Sequence, residues 1–384
     1  MSAESPVAAA PEAAPSELFI VGFPGGELPA ELRDRFARGD FAGLIFFTRN
    51  FRDPTDLVAI AEFLHSIAAT YAPPQPELKA LPPIFALDYE GGRVQRIKAP
   101  FTVWPRMGHL RAHPPELAEK VGRAMAVELS ALGINVNFAP VLDVDSNPHN
   151  PIIGDRAFAD TPAAVSARAL AFLRGLESHG GLRGCGKHFP GHGDTETDSH
   201  LTLPVVRRDL PALRAVELGP FVDAVAAGIG MLMTAHVVYP AVDSRPATLS
   251  PRWLTEILRR ELGFTGVCVS DDMDMNAVTA QELGLADDSE VVVEALLAGC
   301  DAFLFCKDAD RLHRAEAALL RAAQSDARVR ARINESAARL RRFRQTLAPC
   351  QPQLAALRRF PAPEHEQLCA QILKPPADVG KPGA

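Results

Sequence analysis

The chain has no apolar stretch long enough to cross a bilayer, so no transmembrane helix is expected. Its first sixteen residues lack both the basic start and the apolar core of a secretion signal, and the cytoplasm is the expected compartment. Cysteine is sparse. The six residues Cys185, Cys268, Cys300, Cys306, Cys350 and Cys369 form no CxxC or other metal-like spacing. Cys268, Cys300 and Cys306 lie in or beside apolar runs, as reduced packing thiols do. Positive charge is not in excess: 40 Lys and Arg against 47 Asp and Glu leave a net charge of −7. That balance gives no electrostatic reason to expect nucleic acid or an anionic membrane as partner, although a locally basic pocket is still permitted. No GxGxxG, GKT or GKS loop follows the first apolar run, which removes the usual nucleotide-binding signatures.

What is present suits a globular protein of one large domain or two medium ones, with 384 residues of which 47% are hydrophobic. Residues 1–16, rich in Ala and Pro, read as a disordered lead-in, and residues from about 362 onward read as a loose tail. Between them, short apolar runs alternate with longer helix-patterned segments. The runs are 18–23, 43–47, 83–88, 134–140, 182–189, 231–236, 266–272 and 301–306. Continuous rather than alternating apolar runs indicate strands buried on both faces, as in a parallel sheet. Eight strand–helix alternations predict a single-domain α/β fold, a (β/α)8 TIM-type barrel over 17–346, with a C-terminal extension and tail at 347–384. An open doubly wound sheet is the alternative architecture.

Polar residues collect where the apolar runs end. Asp88-Tyr89-Glu90-Gly91-Gly92-Arg93-Val94-Gln95-Arg96 follows one run, and His236, Asp271 and Asp272 close two others. The stretch from Lys187 to His200 has almost no apolar side chains and contains Gly191 and Gly193, which predicts a mobile loop over a barrel mouth. Asp198 and His200 stand two apart, so an extended backbone turns both to one side. A carboxylate accepting the imidazole N–H makes the other ring nitrogen a proton shuttle near neutral pH. A solvated loop with an incidental Asp–His contact explains the spacing equally well. His188, His192, Asp194, Asp198 and His200 also offer N/O ligands for a divalent metal, but Pro190 and Gly191 keep the first two histidines off one helical face. A serine triad through Ser199 lacks the G-x-S-x-G turn.

In Val269-Ser270-Asp271-Asp272-Met273-Asp274, adjacent carboxylates at a buried strand end demand cationic partners or a chemical use. Arg96, Arg156 and Lys187 are the available cations, and a cation that keeps a carboxylate ionised suits a nucleophile. Helix capping by Asp272 or Asp274 is the structural alternative. Composition does not choose between Asp271 and Asp272.

The blocks LDYEGGRVQR at 87–96, NFAPVLDV at 137–144, IIGDRAF at 152–158, KHFPGHGDTETDSH at 187–200 and VSDDMDM at 269–275 resemble glycoside hydrolase family 3. More narrowly, they resemble its short bacterial β-N-acetylhexosaminidases of peptidoglycan recycling, over roughly residues 18–345. The resemblance implies a retaining exo-β-N-acetylglucosaminidase acting on fragments such as GlcNAc-anhydro-MurNAc and its peptides, through a covalent glycosyl-enzyme. It implies Asp271 as nucleophile, Asp198 and His200 as the acid/base dyad, and Asp88, Arg96, Arg156, Lys187 and His188 as sugar-binding positions. In longer relatives the acid/base comes from a further domain, a role expected here of the barrel-loop dyad. No metal or other cofactor is expected, the substrate is a small-molecule muropeptide or amino-sugar glycoside, and the chain is expected to be a monomer. Tyr89 stands where the family usually has Gln, and Asp274 where it often has Ser. A phosphorylase on the same scaffold, a metal-dependent barrel hydrolase and a non-catalytic amino-sugar binder are the competing functions.

Overall fold

The computed structural model describes residues 13–197, 203–285 and 287–374. Nine parallel strand segments build one sheet: β1 (Phe19–Val21), β2 (Gly43–Ile45), β3 (Ile84–Leu87), β4 (Val136–Asn137), β5 (Arg183–Gly184), β6 (Gly186–Phe189), β7 (Met231–Thr234), β8 (Val267–Asp272) and β9 (Ala302–Phe305). Their order is β5-β4-β3-β2-β1-β9-β8-β7-β6. The two ends, β5 and β6, are halves of one apolar run interrupted at Cys185. One half pairs with β4 and the other with β7, so the run closes the sheet on itself. All eight expected runs therefore contribute to a TIM-type barrel. The open doubly wound alternative does not hold.

The strands are short and mostly apolar, and they are largely buried on both faces because helices pack outside while side chains fill the interior. Ile20, Leu44, Phe85, Val136, Leu232, Cys268 and Phe303 are fully buried. Each large apolar side chain contributes about 1.5–3 kcal/mol on burial. The outer layer includes α1 (Ala30–Ala37), α2 (Leu57–Ala68), α3 (Pro115–Ala131), α4 (Pro162–Glu177), α5 (Gly219–Ala226), α6 (Arg252–Glu261, wound as a π-helix), α7 (Asp288–Ala298), α8 (Ala309–Ser325) and α9 (Ala327–Arg344). Helices α3 and α4 approach backbone to backbone at Gly122, where a Cβ would lie 2.1 Å from the Phe172 carbonyl oxygen.

The two barrel ends differ in chemistry. Just before β9, the fully buried Asp301 accepts hydrogen bonds from the Cys268 N–H at 2.9 Å, Ser336 Oγ at 3.0 Å and Arg339 at 2.9 Å, with Arg259 and Arg332 also paired to it. This saturated knot belongs to stability. The polar groups at the opposite, C-terminal strand ends are gathered around a cavity.

Of the N-terminal lead-in expected over 1–16, residues 1–12 lie outside the described residues, and the C-terminal expectation needs correction. Pro15–Leu18 form a short 3-10 helix in which Ser16 and Glu17 are buried, and Glu17 is paired with Arg341 at 2.8 Å. Glu17 begins the expected barrel region, and its pairing anchors the start of the ordered chain. The supposed loose tail, by contrast, contains α10 (Pro363–Leu373), docked through the buried His365 and Ile372. The six cysteines are free thiols, five buried and Cys369 partly exposed. No helix among the described residues is long and apolar enough to cross a membrane.

Candidate active site

A cavity of about 300 Å³ opens at the C-terminal strand ends, lined by residues that include Asp88, Glu90, Arg96, Arg156, Lys187, His188, His192, Asp271 and Asp272. A larger groove of about 570 Å³ lies beside α2. Its Arg52–Glu27 pair is largely solvent-exposed, so it offers none of the desolvated charge that chemistry uses. The smaller cavity is the candidate site.

Three cations and two carboxylates interlock on one wall. Lys187 Nζ donates to Asp88 Oδ1 at 2.8 Å and lies 2.5 Å from Glu90 Oε1. Arg96 donates to Asp88 Oδ2 at 2.7 Å. Arg156 forks onto Glu90, with Nε to Oε2 at 2.8 Å and an NH2 contact to Oε1 at 2.9 Å. Burial alone would raise the carboxyl pKa values, but Lys187 and Arg96 hold Asp88 well below the usual carboxylate range, and Arg156 and Lys187 hold Glu90 below it. The cations respond in the opposite sense: burial works against the charge of Lys187, and Asp88 with Glu90 more than restores it. The shifts of Asp88, Glu90, Lys187 and Arg156 all favour the charged forms, so the wall is a set of charge-assisted donors and acceptors.

The acidic cluster at the end of β8 separates into distinct environments. Asp272 Oδ1 accepts from the N–H groups of Asp274 at 3.0 Å and Cys306 at 3.2 Å. Asp274 Oδ2 accepts from the N–H groups of Lys307 at 2.8 Å and Asp308 at 3.1 Å. These two acids thus bind the turn after β9, rather than capping the helix that follows β8. Asp271 takes one N–H, from Asp272 at 2.8 Å, and lines the cavity. Burial raises its pKa, but His188, His236, that N–H and Lys187 together bring it below the ordinary value. Asp272 goes the other way, pushed up to about 6 by burial and by the charges of Asp274 and Asp271. Both acids border the cavity, but Asp271 is the one whose charge its neighbours favour and whose oxygens the turn after β9 leaves unengaged.

The segment after β6 is pinned rather than merely polar. Gly193 passes so close to the strand-end segment of β4 that a Cβ would lie 1.7 Å from the Val144 carbonyl oxygen. Asn150 Nδ2 donates to the carbonyls of His192 at 2.8 Å and Gly193 at 2.9 Å, and Arg208 forks onto Asp194 at 2.6 and 2.7 Å. Asp194 is thus committed to an ion pair. Burial pushes the His192 imidazole down to about 4, with its Nδ1 against Thr195 Oγ1 at 2.8 Å. Among the described residues no three or more His, Cys, Asp and Glu side chains stand together as a metal-holding group. Asp198 and His200 lie outside the described residues.

Residues 16–343 match the glycosyl hydrolase family 3 N terminal domain. The chain belongs to that family. This glycoside hydrolase groups with the bacterial β-hexosaminidases. It is 43% identical to the β-hexosaminidase of Thiobacillus denitrificans over 289 residues, 73% of this chain and 76% of that one. The structure of Neisseria gonorrhoeae NagZ in complex with N-trifluoroacetyl-D-glucosamine matches with a TM-score of 0.74 and 33% identity, over 94% of this chain and 98% of that one. A family 3 β-N-acetylglucosaminidase from Paenibacillus sp. matches with a TM-score of 0.81 and 33% identity, covering 93% and 67% of the two chains.

Of the positions singled out in the sequence of this family 3 enzyme, Asp88, Arg96, Arg156, Lys187, His188 and Asp271 all line the one cavity. Two residues that sequence reasoning passed over belong with them. Glu90 anchors both Arg156 and Lys187, and its spacing of two from Asp88 was the available signal. Asp143, fully buried, accepts from the backbone N–H groups of His188 at 3.1 Å and His192 at 2.7 Å, and its Oδ2 meets His188 Nδ1 at 2.7 Å. That contact fixes the His188 ring and leaves Nε2 for the cavity. A lone acid within the apolar run NFAPVLDV was the clue.

Proposed function

We propose that this enzyme is a retaining exo-β-N-acetylglucosaminidase that removes terminal GlcNAc from peptidoglycan fragments such as GlcNAc-anhydro-MurNAc and its peptides. The observation that carries the reading is the separation of the strand-end acids: Asp271 lines the cavity with its pKa held below the ordinary value, while Asp272, which also borders it, and Asp274 are engaged by backbone amides of the turn after β9. The charged wall opposite suits the hydroxyls and acetamido group of one sugar ring, and the β-hexosaminidase relatives support an amino sugar there. Charge-assisted bonds of this kind contribute about 1.5–3 kcal/mol each.

In this mechanism an Asp271 oxygen attacks the anomeric carbon as the glycosidic C–O bond breaks, and His200, oriented by Asp198, gives its proton to the departing oxygen. Water then attacks the same carbon, loses its proton to His200, and the ester bond to Asp271 breaks. Inversion occurs twice, so the β configuration is kept. Asp143–His188 is a second carboxylate–imidazole pair, and its place in the cavity makes it the rival for the proton role.

The test is product analysis by proton NMR on a GlcNAc-anhydro-MurNAc substrate, with and without inorganic phosphate. The proposal expects β-GlcNAc as first product in both cases. Formation of a sugar 1-phosphate would make the enzyme a phosphorylase, and first-formed α-GlcNAc would contradict a covalent intermediate.

A further inference from the structure

The fully buried carboxylate of Glu128, on α3, is the most heavily used acceptor behind the sugar-facing wall. Its Oε2 accepts from Tyr89 Oη at 2.7 Å and Trp104 Nε1 at 2.9 Å. Its Oε1 accepts from Thr102 Oγ1 at 2.6 Å and the Thr102 N–H at 3.1 Å, and meets His365 Nδ1 at 3.0 Å. Four chain segments therefore converge on one charge: α3, the Thr102–Trp104 strap, the hairpin that begins at Tyr89, and α10.

Tyr89 lies between Asp88 and Glu90. Its backbone is held on β4 by Asn137, with the Tyr89 N–H donating to Oδ1 at 3.0 Å and Nδ2 donating to the Tyr89 carbonyl at 3.0 Å. Alternation along an extended backbone sends the Tyr89 ring back toward Glu128, while Asp88 and Glu90 line the cavity. Helix α10 is held in turn by His113 Nε2 against the Ile372 carbonyl at 3.0 Å, and the segment leading into it by Phe360 edge-on to Phe101, ring centres 4.7 Å apart. The His365 ring lies 5.6 Å from that of Trp104. This helix falls beyond residue 343, where the family match ends.

We propose that α10 is a positioning element for the terminal sugar: His365, acting through Glu128 and Tyr89, holds Asp88 and Glu90 in register within the cavity. His365, Glu128 and Tyr89 are positioning residues, since none of them reaches the cavity. The inference rests on the reading of Asp88 and Glu90 as part of the amino-sugar pocket.

The test compares the full-length enzyme with His365→Phe, which keeps a ring on Trp104 but removes the donor, and His365→Asn, which returns an N–H near Nδ1. KM and kcat are measured on an aryl β-N-acetylglucosaminide, and the Kd for N-acetylglucosamine by calorimetry. In His365→Phe, KM and Kd should rise together about fivefold with kcat within about twofold of the parent, and His365→Asn should recover most of that loss. Unchanged KM and Kd, or a fall in kcat alone, would overturn the proposal, because a merely structural helix changes the folded fraction and not the affinity of folded molecules. If His365→Phe does not fold, Tyr89→Phe removes only the hydroxyl and is held to the same KM–Kd criterion. An unmodified enzyme that binds N-acetylglucosamine but shows no turnover refutes the glycosidase reading, and the calorimetric comparison still decides the role of α10. If it neither binds nor turns over, both fall.

Discussion

Replacing Asp272 by Asn should stabilise the protein, and do so mainly above pH 6. Asp272 has its carboxyl pushed up to about 6 by burial and by Asp274 and Asp271, against 3.8 for an ordinary aspartate. A gap of roughly two units corresponds to about 3 kcal/mol of penalty once the folded-state group is ionised. The side chain is partly exposed, so solvent screening reduces this to about 1–2 kcal/mol. The sign follows from linkage. A group with a raised folded-state pKa supports stability below its unfolded pKa, and that support is lost as pH climbs through the folded value. Asn carries no charge at any pH and keeps an oxygen for the N–H groups of Asp274 and Cys306, so the variant escapes the loss. By scanning calorimetry its Tm should exceed the parent's by about 1–3 °C at pH 8. At pH 4.5 the gap should shrink to about a third of that, because the parent's carboxyl is then protonated when folded. A gap that is absent at pH 8, or larger at pH 4.5, would refute the electrostatic account of this acid.

Two further outcomes concern the cavity. Glu90→Gln removes the negative charge shared by Arg156 and Lys187, and kcat/KM on an aryl β-N-acetylglucosaminide should fall about 10- to 100-fold, chiefly through KM; an unchanged KM would argue against Glu90 as their anchor. His200→Ala should slow a substrate with a poor leaving group far more than an activated aryl glycoside. Equal losses on both, with the unequal pattern appearing in His188→Ala instead, would transfer the proton role to Asp143–His188.

The barrel was legible because eight apolar runs, each bounded by helix-patterned sequence, have few other ways to bury both faces. The closure was not. Residues 182–189 look like one strand, and only the pairing of Arg183–Gly184 with β4 and of Gly186–Phe189 with β7 shows that this run joins the two edges. At the site, charged residues that end buried strands stood out, which is why Asp88, Lys187 and Asp271 were found. The choice between Asp271 and Asp272 was not available to composition, since it depends on which carboxylate the β9 turn engages through its backbone amides. Glu128 escaped notice for a related reason. On a helix it looks like an ordinary surface acid, and only the folded chain brings Tyr89, Thr102, Trp104 and His365 to it. The fate of residues 363–373 was hidden in the same way, because its anchors are a few side chains in an otherwise polar stretch.

The nucleophile is tested most directly by intact-protein and peptide mass spectrometry after incubation with a slow fluorinated 2-acetamido-sugar substrate. One added glycosyl unit per chain, carried by the peptide containing Asp271 and located on that residue by fragmentation, is the predicted result. A label on Asp272 or elsewhere, or turnover of the substrate with no covalent adduct under conditions that trap one, would contradict it.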